Sequence, residues 1–167
     1  MIKIKSKWIK IFLLVLVIAV AAAAKPFYDG YSEYRKNAVP VLEYHSVGGS
    51  DEWPAEVIIK TEVFEKQLQY LHNNGYSMLS MEQMINGFKN GKDMGKAVVL
   101  TFDDGYMDNY TNVFPLLKKY NANASFFIVQ SKIGKPNYMG HDEITELIRA
   151  GNDLASHTIN HKILTDI

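Results

Sequence analysis

Ala97-Val-Val-Leu-Thr-Phe-Asp-Asp-Gly-Tyr106 is a run of six residues without charge, Ala97–Phe102, that ends abruptly in two adjacent carboxylates and a glycine. A continuous run of this length rich in valine and leucine predicts a strand buried on both faces, the pattern of a parallel sheet covered by helices. Working outward, Val39–His45, Ser77–Leu79, Ala124–Val129 and Asp153–Ser156 read as further short strands. Between them lie amphipathic segments. Thr61–Asn74 carries Val63, Phe64, Leu68 and Leu71 at helical spacing and stops at Gly75. Ser80, with Gln83 three residues on, makes a capping-box pattern for a helix running to about Asn90. Asn109–Tyr120, with Pro115 in its first or second turn, and Asp142–Ala150, ended by Gly151, complete the set. The alternation of strand and helix predicts an α/β fold, a parallel sheet or barrel with helices outside. In such folds sites assemble at the carboxyl ends of strands, where the Asp pair falls.

The chain's 18 basic and 18 acidic residues balance, which argues against a nucleic-acid surface. The balance hides an asymmetry. Lys3, Lys5, Lys7 and Lys10 come first without an acid among them, so the rest of the chain carries an excess of four acids. Ile11–Ala24 is then uncharged and apolar, with small residues at Ala22 and Ala24. Residues 1–24 therefore read as a signal peptide cleaved near Lys25, or as an uncleaved membrane anchor. Either places the remainder outside the cytoplasm, exported to the cell envelope or beyond. Residues 25–38 read as a linker and 39–167 as the globular domain. The absence of Cys excludes a disulfide framework.

Two motifs carry chemistry. Adjacent carboxylates at Asp103 and Asp104 repel each other and need a cation or a proton, unless both are solvated in a turn. Ser156-His157-Thr158-Ile159-Asn160-His161 follows the last strand, and its two His, four apart, can face one ion if the segment coils. One carboxylate and two imidazoles make a three-ligand set for a divalent ion, with the second carboxylate free as a base, which is equipment for metal-assisted hydrolysis. His45, after the first strand, is read either as lining this site or as a hydrogen-bonded core residue. His72 reads as surface, and His141 as capping or solvated.

Thr101-Phe-Asp-Asp-Gly-Tyr106 and Ser156-His-Thr-Ile-Asn-His161 resemble the first two motifs of the polysaccharide deacetylases, carbohydrate esterase family 4, with its NodB-homology domain. Val39-Pro-Val-Leu-Glu-Tyr-His-Ser-Val47, Phe64–Leu71, Asp108–Tyr110 and Ala124–Phe127 are similar to the subgroup acting on poly-N-acetylglucosamine, and the likeness covers about residues 39–164. The resemblance implies the N-terminal portion of a distorted (β/α)7 barrel. It implies Asp103 as general base, with Asp104, His157 and His161 as metal ligands, and places His45 at the substrate. The implied ion is Zn²⁺, with Co²⁺, Ni²⁺ or Mn²⁺ as alternatives of the same ligand type. The implied substrate is an N-acetylglucosamine-containing polysaccharide: poly-N-acetylglucosamine, peptidoglycan or a chitin-like glycan.

The resemblance further implies an Arg-x-Pro-Tyr/Phe motif, an Asp-rich motif and a late Leu-x-His supplying the general acid. The sequence after His161, Lys-Ile-Leu-Thr-Asp-Ile, holds none of them. The expectation is an incomplete domain, a truncated deacetylase with reduced or no activity. The alternatives are a non-catalytic exported module that binds glycan or metal, or a membrane-tethered interaction domain without metal.

Overall fold

The computed structural model describes residues 6–49 and 54–166. Lys3 and Lys5 of the basic start lie outside the described residues. The chain divides into two units, Met1–Ala38 and Val39–Ile167.

In the first unit, helix α1 (Ser6–Asn37) is 32 residues long, and its stretch Leu13–Tyr31 is long and apolar enough by length and composition to cross a membrane. The helix passes through Pro26 and on to Asn37. Residues 25–37, read from the sequence as part of a linker, are therefore helical. A proline deletes one hydrogen bond, but propagation adds one bond for each further residue fixed, so an established helix carries on. Lys25 and Asp29, four apart and 4.0 Å from each other, add a favourable pair across that point.

The second unit is built on β5 (Ala97–Phe102), in which every residue is buried. Strand β1 (Val41–Tyr44) pairs parallel with Val99–Phe102 of β5. Strand β4 (Ser77–Leu79) pairs parallel with residues 97–99 of β5. Strand β6 (Ser125–Ile128) pairs parallel with Thr101 and Phe102. Val99 pairs with both Val41 and Leu79, and Thr101 with both Glu43 and Ser125, so β4 and β6 share one edge of β5 while β1 takes the other. Strand β7 (Asp153–Ser156) continues the sheet beyond β6, and a small parallel pair, β2 (Ser46–Val47) with β3 (Ile58–Ile59), lies apart from it. The five-stranded parallel sheet with helical connections is part of a distorted α/β barrel.

Alternation along β5 decides the two faces. Val98, Leu100 and Phe102 point into the main core with Phe64, Leu68 and Leu71 of α2 (Thr61–Asn73). Val63, grouped with these on spacing, is exposed instead. At the start of α3 (Met81–Lys89) the Ser80 hydroxyl accepts from Gln83 N–H at 3.3 Å while Gln83 accepts from Ser80 N–H at 3.0 Å, the reciprocal box the sequence predicts. The same helix start also holds an anion, since Glu82 N–H donates to the Asp153 carboxylate at 2.7 Å and ties α3 to β7.

The predicted single helix Asn109–Tyr120 is two pieces: a π-turn over Asn109–Val113, then α4 (Phe114–Lys119). Pro115 has no N–H to return to the Thr111 carbonyl, which breaks the α pattern there. The Asn109 and Asn112 side chains donate instead to the carbonyls of His45 (2.8 Å) and Val47 (2.7 Å), fastening the turn to the loop after β1. Helix α5 (His141–Arg149) starts at Gly140, whose N–H donates to Glu143 at 2.9 Å.

Asp108 completes this fastening. Its buried carboxylate accepts from the Ser46 hydroxyl (2.8 Å), Val47 N–H (2.9 Å) and the Asn109 amide (3.1 Å). Asp108→Ala leaves these donors unpaired and is expected to lower unfolding free energy by about 2–3 kcal/mol. Burial raises the Asp108 carboxyl above its ordinary 3.8, so the folded chain holds that proton to higher pH than the unfolded chain. The stability this proton confers is fully present below pH 3.8 and is lost as pH rises through the raised value. Urea melts across pH 3 to 7 are expected to show that slope in the wild type and a flatter one in the alanine variant.

Candidate metal centre

The carboxyl end of β5 delivers the two Asp residues to different surroundings. Asp103 N–H still donates to the Tyr44 carbonyl at 2.9 Å, continuing the ladder. Asp104 then turns left-handed, with φ 71°, a conformation Asp tolerates better than most residues. Gly105 follows at φ 78°, a left-handed angle that strains any residue with a Cβ, and a Cβ there would also press on Ile128 Cδ1 at 2.8 Å. The second motif begins where β7 ends. His157 N–H donates to the Ile128 carbonyl at 2.9 Å, and the chain then coils through Thr158 (φ 64°) to His161 (φ 56°). Strained backbone angles at both motifs are the kind that persist where the surrounding structure over-determines them.

These turns bring Asp104, His157 and His161 together. Asp104 is 6% exposed, and its Oδ1 stands 3.6 Å from His157 Nε2 and 3.4 Å from His161 Nε2. The two imidazole rings are 4.8 Å apart. Among the described residues, that buried Oδ1 has no hydrogen-bond partner. Ligand atoms about 2.1 Å from a tetrahedral Zn²⁺ lie about 3.4 Å from one another, which is the spacing seen here. Two imidazolium rings this close would repel, whereas two neutral imidazoles and one carboxylate are a donor set for a divalent cation. The residues present therefore fit such an ion.

Asp103 belongs to a neighbouring cluster with Glu43 and His45, whose donor atoms lie within 4.8 Å of one another. His45 Nε2 is 3.9 Å from Glu43 Oε1. Of the two readings of His45, the structure places its partly exposed imidazole in this cluster and outside the core. Burial raises the Asp103 carboxyl; His157 and His45 oppose the shift, while Glu43 and Asp104 reinforce it. Glu43 escaped the sequence reading, although alternation along β1 places it on the same side as His45, and its register partner is Thr101.

Tyr106 and Tyr138 also escaped it. The Tyr106 hydroxyl donates to the Asp104 carboxylate, and burial followed by that bond raises its phenol well above the ordinary 10.0. Tyr138, from a loop 32 positions later in the chain, places its ring against that of Tyr106 at 5.3 Å. His72 is exposed on α2 with its ring 5.8 Å from Tyr120, and His141 is exposed at the start of α5. Neither approaches the site.

A parallel α/β sheet with carboxylates and imidazoles gathered at the carboxyl ends of β1, β5 and β7 defines a barrel-type protein with its site at the strand ends. Comparison with known proteins narrows the class. Residues 90–167 match the polysaccharide deacetylase family. YxkH of Bacillus subtilis (strain 168) is 34% identical over 124 residues, covering 74% of this chain and 43% of that protein. The poly-beta-1,6-N-acetyl-D-glucosamine N-deacetylase of Escherichia coli (strain K12) is 34% identical over 101 residues, 60% of this chain and 15% of that enzyme. Among solved structures, the Streptococcus pyogenes deacetylase PplD, in complex with acetate, superposes with a TM-score of 0.67 at 32% identity, over 74% of this chain and 57% of that one. This chain carries a polysaccharide deacetylase domain. It spans less than half the length of the two curated relatives.

Proposed function

We propose that the unit Val39–Ile167 holds a divalent cation, Zn²⁺ before Co²⁺, Ni²⁺ or Mn²⁺, on Asp104, His157 and His161, and removes N-acetyl groups from an N-acetylglucosamine-containing envelope polysaccharide. The observation that carries this is the buried, donorless Asp104 Oδ1 facing two imidazole nitrogens. The E. coli relative's poly-beta-1,6-N-acetyl-D-glucosamine favours that polymer over peptidoglycan or a chitin-like glycan, and the acetate in PplD supports an acyl group leaving as acetate.

When bound, the ion supplies Lewis acidity toward an amide carbonyl. Asp103, partly buried and with its carboxyl raised, takes the proton of the water that attacks the acetyl carbon. His45, beside Asp103, lines the substrate side of the site, and the proton taken up by Asp103 passes on to the sugar nitrogen as the C–N bond breaks. The products are acetate and a free amine.

The test is acetate release from N-acetylglucosamine oligomers with added Zn²⁺. Asp103→Asn is expected to bind Zn²⁺ as the wild type does and to release acetate ~10²–10⁴-fold more slowly. Zn²⁺ and glycan binding without acetate release by the wild type would assign a binding module instead.

We also propose that α1 sends this unit out of the cytoplasm, as a cleaved signal or as an anchor. The support is its apolar stretch Leu13–Tyr31 after a start whose only charged residues are lysines. Alkaline phosphatase fused after Ala38 is expected to be active in cells and to lose that activity when Leu14 and Leu16 are replaced by Arg. An inactive parent fusion would remove the export reading.

A further inference from the structure

The stretch Gln130–Gly140, between β6 and α5, touches both ligand-bearing segments. At one end, Gln130 N–H and Ser131 N–H donate to the carbonyls of Thr158 (3.2 Å) and Ile159 (2.9 Å), between the two His. At the other, Met107 N–H donates to the Asn137 carbonyl (2.9 Å) and Met139 N–H to the Gly105 carbonyl (3.0 Å). These bonds flank an antiparallel bridge between Tyr106 and Tyr138. The strap is closed on itself by Gly134 N–H donating to the Met139 carbonyl at 3.0 Å, and its Met139 is buried. Lys132 Nζ lies 5.2 Å from the Tyr138 ring centre on the outside.

The Tyr106 hydroxyl is hydrogen-bonded to the Asp104 carboxylate, whose Oδ1 has no hydrogen-bond partner. That bond holds the carboxylate while Oδ1 faces His157 and His161. Resting on the metal reading above, we infer that Tyr106 and Tyr138 are positioning residues: Tyr138, held by the strap, sets its tilted ring against Tyr106, whose hydroxyl sets the orientation in which Asp104 meets its cation. Hydrogen bonds to a ligating carboxylate fix its orientation, and loss of such an outer partner typically weakens metal affinity about 10–100-fold.

The experiment is Zn²⁺ titration of the full chain by calorimetry, with the Co²⁺ absorption spectrum as a second readout and thermal melting of the metal-free protein as a control. Tyr106→Phe is isosteric and is expected to weaken Zn²⁺ binding about tenfold or more, to change the Co²⁺ spectrum, and to leave melting near the wild type. Tyr138→Ala is expected to weaken binding likewise, and Tyr138→Phe, which keeps the ring, to restore it. Wild-type affinity and an unchanged Co²⁺ spectrum in Tyr106→Phe would overturn the inference, as would Tyr138→Phe binding as weakly as Tyr138→Ala. No Zn²⁺ binding by the wild type itself would instead overturn the metal reading, and the inference with it.

Discussion

Asp104→Asn is expected to fold and to lose Zn²⁺ affinity by more than the roughly 10–100-fold that removal of an outer-shell partner costs. Asn adopts the left-handed φ of 71° that this position demands, so the turn survives. Its amide keeps the size of the carboxylate and lacks the charge that balances a divalent ion. In the metal-free protein the same change removes a buried carboxylate whose Oδ1 has no donor. Unfolding free energy is therefore expected to be unchanged or higher by about 1 kcal/mol. Calorimetric titration beside urea melts separates the two effects. Wild-type Zn²⁺ affinity in this variant would contradict the assignment of Asp104 as a ligand.

Phe102→Ala carries the largest expected effect on stability. Phe102 is fully buried at the end of β5, its ring 5.3 Å from Tyr44, 5.2 Å from Phe126 and 5.7 Å from Phe64. It joins three strands to α2, and truncation removes the contact common to all of them. Deleting a buried phenylalanine typically costs about 3–5 kcal/mol, a large share of the stability of a domain this size. Because Phe102 immediately precedes Asp103, metal affinity is expected to fall with it. A loss below about 1 kcal/mol in urea melts would mean the site collapses around the cavity and that this aromatic cluster is not the keystone of the sheet.

The parts of the fold legible in the sequence are those where one local rule decides. Ala97–Phe102, Ser77–Leu79 and Asp153–Ser156 have the bounds their patterns predict, and the Ser80–Gln83 box forms as spelled. The parts that were not legible depend on partners distant in the chain. Nothing local announces that Val39–His45 shortens to Val41–Tyr44, with β2 set apart from it, because that break is made by Asp108 and Asn109 more than sixty positions away. The π-turn at Asn109–Val113 has the same origin, helped by Pro115. The helix through residues 25–37 was missed because Pro26 and Gly30 weigh against it locally, while cooperativity favours it.

The site divides in the same way. Asp103, Asp104, His157 and His161 are recognisable from two motifs, and the structure brings the last three within reach of one point. The motifs do not reveal which carboxylate is buried, and the left-handed turn at Asp104 decides that. Glu43 and His45 are two apart on one side of a strand, a pattern readable only once the strand's register with β5 is known. Tyr138 reaches Tyr106 through a loop bridge that no periodicity marks.

The most direct test of the metal centre is X-ray absorption at the Zn edge on the full chain loaded with one equivalent of Zn²⁺. The expected spectrum shows nitrogen and oxygen neighbours at about 2.0–2.1 Å with the outer-shell scattering of two imidazole rings. That scattering should fall to one ring in His157→Ala and again in His161→Ala. Failure to bind Zn²⁺, or a bound ion without imidazole scattering, would contradict the assignment of Asp104, His157 and His161.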